Sequence, residues 1–130
     1  MMTTQHGYGD YQTANLEGQT ASASPVRLVV VLMDGLLDEM ARARAHIEAK
    51  RYEEKGHSLN KCIGMLHGLT SALDFDAGGE VVVNMARLYE YCTWRLNEAG
   101  LTLDPAIIDE VSELIRTLRA AWEGVDQRFG

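Results

Sequence analysis

Val29, Met33, Leu36, Met40, Ala43 and Ile47 follow one another at intervals of 4, 3, 4, 3 and 4. That rhythm is one stripe along a helix turning about 100° per residue, and no strand can use it. Three further stripes follow: Leu59, Cys62, Ile63, Leu66, Leu69 and Leu73; then Val81, Met85, Leu88, Cys92, Leu96 and Ala99; then Ile107, Val111, Leu114, Ile115, Leu118, Trp122 and Val125. The punctuation between them is helical too. Ser24-Pro25 and Asp104-Pro105 each place a capping side chain before a proline at the first helical position. Asp74 to Gly79 reads as a turn, and Gly100 as a C-cap glycine. Asp109 and Glu110 fall early in the last segment, where the helix dipole favours acids. The first helix is expected from Pro25 to about Lys50. Four amphipathic segments of roughly 20 residues with short links predict an all-α, antiparallel four-helix bundle. No useful period-2 alternation supports a sheet. Residues 24–126 form this domain. Residues 1–23 are polar, with Met1, Met2, Tyr8, Tyr11 and Leu16 as their only large apolar groups. They cannot bury enough to offset their own ordering and are expected to form a mobile arm.

Charge narrows the function. Twelve Lys and Arg face 19 Asp and Glu, a net charge of −7. Phosphate neutralisation needs a basic surface, so nucleic acid is not the expected partner. An anionic membrane surface is disfavoured likewise. The longest apolar run, residues 28–33, is far short of the roughly 20 a membrane span needs. The first residues carry neither a basic n-region nor an apolar h-region, which predicts no secretory leader, a cytoplasmic location and reduced thiols.

A bundle helix needs one apolar stripe and one wet face. The last segment obeys this, with Asp109, Ser112, Glu113 and Arg116 opposite its stripe. The start of the first helix does not: Val26 and residues 28–33 point nearly all round the axis. Either this is the most buried helix of the bundle, or it carries surplus apolar surface. On the third helix Val83, Tyr91 and Trp94 lie off the core stripe, with Arg87 among them. Gly64, Gly68 and Ala72 make a low surface on the second. Each feature has a bland reading as a core residue, a rim aromatic or a tolerated glycine. Together they point to apolar area left over once the bundle closes, which marks an interaction site or needs a cover. Leu28, Val31, Leu32 and Met33 are the candidate groove residues on the first helix, and Val83, Tyr91 and Trp94 those on the third. Tyr8 and Tyr11 are the candidate displaceable cap.

The sequence is poor in catalytic and cofactor motifs. There is no phosphate-binding glycine loop, no H-E-x-x-H and no C-x-x-C. One E-x-x-H occurs, Glu54 to His57, where a di-iron carboxylate bundle needs two and further inward glutamates. His6, His46, His57 and His67 share no ligand spacing. Cys62 and Cys92 fall on core stripes and read as small buried hydrophobes. No catalytic residue, metal or cofactor is assigned, and the chain is read as a non-enzyme.

An ordered set of short motifs resembles the flagellar secretion chaperones of bacteria, the FliS family. Tyr8-Gly9-Asp10-Tyr11 precedes a Thr/Ala/Ser stretch ending at Pro25. Leu32-Met33-Asp34-Gly35 is similar to the family's Met-Leu-Tyr-Asp-Gly, with Met33 where tyrosine is usual. Leu73-Asp74, Gly78-Gly79-Glu80, Asn84, Leu88-Tyr89-Glu90-Tyr91, Leu96-Asn97-Glu98-Ala99, Glu110-Val111, Leu118-Arg119 and Ala121-Trp122 follow in order. The stretch from Gln12 to Ser24 is longer than typical. The resemblance runs from about Tyr8 to Val125. It implies a cytoplasmic chaperone that binds the disordered C-terminal segment of flagellin, prevents premature polymerisation and presents the client to the export gate. An amphipathic client would fold as it docks, in a helix-in-groove mode. The alternative is a homodimeric helical adaptor that buries its spare apolar surface against itself.

Overall fold

The computed structural model describes residues 24–129, which form four helices: α1, Pro25–Glu48; α2, Tyr52–Ser71; α3, Phe75–Thr102; and α4, Pro105–Phe129. The start signals act as their chemistry requires. Ser24 stays extended and its hydroxyl accepts from the Arg27 amide at 3.0 Å, with Pro25 in the first turn. The Asp104 carboxylate accepts from the Ala106 amide at 3.0 Å ahead of α4. α2 begins without a side-chain cap at Arg51.

Gly100 does something other than expected. It lies inside α3, two residues short of the end, and Leu103 takes the left-handed cap at φ 56°. A Cβ at Gly100 would stand 3.0 Å from Leu59 Cδ1, so the glycine serves close packing of α3 on α2. Its carbonyl accepts from Lys55 Nζ at 3.1 Å.

The helices form a square in which α1 neighbours α2 and α4, and α3 closes the ring between those two. Ion pairs fix the directions. Arg27 at the start of α1 meets Glu123 near the end of α4, and Arg44 near the end of α1 meets Asp109 near the start of α4. Asp34 and Arg119 pair between them. Such part-exposed pairs contribute roughly 0–1 kcal/mol each, so they set register more than stability.

The core is the stack of stripes: Met33, Leu36, Met40 and Ala43 on α1, Cys62, Leu66 and Leu69 on α2, Tyr89, Cys92, Leu96 and Ala99 on α3, and Ile108, Val111 and Ile115 on α4. Burial pushes the Cys62 and Cys92 thiols up to about 12 and 11, so they are neutral packing groups. Three positions depart from the sequence reading. The α3 stripe passes through Tyr89, 2% exposed, instead of Leu88, and Val81 is 68% exposed. Ser112, expected on the wet face of α4, is buried on the α1–α4 seam, where its hydroxyl lies 3.7 Å from Met40 Sδ.

Candidate functional site

The first half of α1 divides its apolar residues by direction. Val30 and Met33 are fully buried, while Val26, Leu28, Val29, Val31 and Leu32 are half-buried. Pro25, Leu28, Val29 and Leu32 share one side of the helix at helical spacing. They form one wall of a groove of about 440 Å³ at this end of the bundle. Its other walls are Leu73 in the α2–α3 link, Val81, Val82 and Met85 on α3, and Trp122 on α4. Both readings of α1 therefore hold for different faces of it.

A second groove, of about 490 Å³, runs between α3 and α4, lined by Leu88, Tyr91, Leu114 and Leu118 with Glu110, Glu113 and Thr117 at its side. The two grooves adjoin end to end and are treated together as one trough. Met85 and Trp122 line the first, and Leu88 and Leu118, one turn further along the same helices, line the second. From Val81 to Trp94, which stands beside its far end, the trough runs along 14 residues of α3, about 20 Å at 1.5 Å per residue. It is floored by apolar side chains and is long enough for three to four turns of a partner helix.

The far end of the trough carries a hydrogen-bonded cluster. The Tyr91 hydroxyl and the Arg95 guanidinium both donate to Glu110, the latter at 2.9 Å from Nε. These two donors hold the Glu110 carboxyl below its ordinary range. Trp94 stands beside them, 5.9 Å from the Tyr91 ring and 5.7 Å from the Arg95 guanidinium, with 58% of its surface exposed. An aromatic kept in place by neighbours while facing water has the character of an interface anchor.

The sequence candidates are thus distributed as follows. Leu28 and Leu32 line the first groove, Tyr91 lines the second and Trp94 stands next to it. Val83 is exposed on α3, and Val31 is half-buried; neither lines either groove. Met33 is a correction: with no exposed surface it belongs to the core, under the groove wall instead of on it. Tyr8 and Tyr11 lie outside the described residues. Val82, Met85, Leu114, Leu118 and Trp122 are trough residues that the stripe analysis placed in the core or passed over. Gly64, Gly68 and Ala72 are exposed, and a Cβ at either glycine would meet nothing within 4 Å.

The opposite, α1–α2 face is polar. Glu39, Arg42, His46, Glu54, His57, Ser58 and Lys61 surround a recess of about 250 Å³. Glu54 and His57, the E-x-x-H pair, sit here among cations. Among the described residues no group of three or more His, Cys, Asp or Glu could hold a metal ion. No helix among them is long and apolar enough to cross a membrane.

A four-helix bundle with a helix-sized apolar trough on one flank has the form of a helical binding module. Residues 7–128 match the family described as flagellar protein FliS, and the chain belongs to that family. It is 42% identical over 115 residues to the flagellar secretion chaperone FliSB of Pseudomonas aeruginosa, covering 88% of this chain and 91% of that one. It is 34% identical over 128 residues to the flagellar secretion chaperone FliS of Salmonella typhimurium, covering 98% and 95%. With that of Escherichia coli it shares 33% over 123 residues, covering 94% and 90%.

Proposed function

We propose that this chain is a non-enzymatic, cytoplasmic export chaperone whose trough receives the C-terminal segment of flagellin. The observation that carries the reading is the pair of adjoining, mostly apolar grooves along α1, α3 and α4 in a chain whose relatives are flagellar secretion chaperones. A disordered apolar segment that folds on docking needs a long, shallow, apolar seat instead of a deep pocket. Holding such a segment would keep it from polymerising and allow its delivery to the export apparatus. Leu28, Leu32, Tyr91 and Trp94 are the contacts we assign, with Val31 and Val83 flanking. Tyr8 and Tyr11 are assigned as the cap that the client displaces, because the described chain enters at Ser24, directly beside Pro25 and Leu28 on the trough wall.

Titration with a flagellin C-terminal peptide tests the reading, by calorimetry and by helical circular dichroism gained on mixing. Saturable binding with new helicity is expected, and Tyr8→Ala with Tyr11→Ala should alter the affinity. No binding, combined with a stable dimer in sedimentation, would replace this reading with that of a self-associating adaptor.

A further inference from the structure

We propose that Gly78 and Gly79 are positioning residues for the trough: their kink folds the first turn of α3 back so that it becomes the trough's end wall. The inference rests on the trough being the flagellin seat. Gly79 has φ 59° and ψ −137° in the middle of an otherwise helical run. Side chains of L-residues essentially do not enter that region. Gly78 is required for a different reason. A Cβ there would lie 1.7 Å from Val82 Cγ2 and 2.8 Å from Val82 Cβ. In an unkinked helix, side chains at i and i+4 have their Cβ atoms about 5–6 Å apart, and no such clash arises. One kink therefore makes two separate demands for glycine, one of angle and one of space.

The turn before the kink is held in its own frame. The Asp74 carboxylate accepts from the Asp76 and Ala77 amides at 3.1 and 3.2 Å. Folded back, this turn brings Leu73, Ala77 and Gly78 to the groove opposite Pro25 and Leu28. α1 and α3 are diagonal partners in the square and make no direct seam, so a straight α3 would carry residues 75–78 along its own axis and leave that end of the trough open. Phe75 and Val81, 53% and 68% exposed, bracket the kink and show how little else holds this turn down.

The test compares hands of alanine. Gly79→Ala and Gly78→Ala both disfavour the kink, while D-alanine at 79 favours it, since φ 59°, ψ −137° mirrors the extended region open to any L-residue. The D-residue is introduced in a synthetic 62–91 segment, ligated at the native Cys62 and Cys92. Each L-alanine variant should bind the flagellin C-terminal peptide about tenfold more weakly, about 1.4 kcal/mol. The D-alanine protein should bind at least as tightly as the wild type, a recovery that general loss of fold would not produce. Spin labels at Phe75→Cys and Ala120→Cys should lie further apart when Gly79→Ala is added. Wild-type affinity in both L-variants, weaker binding by the D-alanine protein, or an unchanged label distance would overturn the proposal. If the unmodified chain fails to bind the peptide, the functional reading falls, and the label distance still decides the kink.

Discussion

Trp94→Ala separates a binding surface from a structural one more cleanly than any other single change. The residue is 58% exposed. A tryptophan presents up to about 250 Å², so about 145 Å² faces outward and about 105 Å² lies against the bundle. At about 25 cal/mol per Å² the outward part would contribute up to about 3.5 kcal/mol to a client that covered it fully, and about half that at a partly covered rim. The expected loss of affinity is thus between about 20-fold and about 300-fold. The inward part corresponds to at most about 2.6 kcal/mol, reduced because the unfolded chain already hides some of it and because the site is open and leaves no cavity. A fall in stability of about 1 kcal/mol, a few degrees of melting temperature, is expected. Calorimetric titration with a flagellin C-terminal peptide and a thermal melt on the same samples give both numbers. Tyr89→Ala is the control: at 2% exposure it should cost about 3–5 kcal/mol of stability. Peptide affinity within twofold of wild type in Trp94→Ala would refute the reasoning and leave Trp94 as a lid on Arg95.

Three further outcomes are expected. Glu39 is 5% exposed and its ion partner is Arg42, one turn on, at 2.9 Å; Glu39→Met should be neutral or stabilise by about 1 kcal/mol in urea unfolding, whereas Arg42→Ala should destabilise by stranding the carboxylate. Glu110 has its carboxyl lowered by Tyr91 and Arg95, so its contribution to stability is present above the ordinary value of 4.5 and is lost as pH falls through the lower folded value; carbon-detected NMR titration should show a midpoint below 4.5 that rises in Tyr91→Phe, and an unchanged midpoint would refute the clamp. Cys62 and Cys92, raised to about 12 and 11 by burial, should react with a disulfide reagent at pH 8 only as fast as the bundle unfolds, and rapid labelling of native protein would show that the core opens.

Where local chemistry decided an outcome, the residues could be read directly. Ser24-Pro25 and Asp104-Pro105 start helices because cap and proline act within one turn. The stripes on α1 and α2 are the core apart from Val29 and Leu73, which line the trough, and the half-buried Ile63, since a helix can bury only one face well. At Gly100 a C-cap and a close approach both call for glycine, and only the distance to Leu59 distinguishes them. Leu88 and Tyr89 sit side by side, and which of them turns inward depends on how α3 is rotated against two neighbours. Met33 continues the core stripe, so its place in the apolar run at the start of α1 did not put it on the groove. The trough itself was legible only as a surplus of apolar residues. Its shape comes from Leu28, Met85 and Trp122 converging from three helices, and from a kink whose consequence lies across the bundle.

The central claim is that a partner helix lies along one particular flank. Methyl and indole NMR of the bundle mixed with a flagellin C-terminal peptide tests it most directly. The shifts should trace a line through Leu28, Leu32, Met85, Leu118, Trp122 and Trp94, with the polar face around Glu54 and Lys61 unmoved. Shifts confined to that polar face, or none at saturating peptide, would contradict the account.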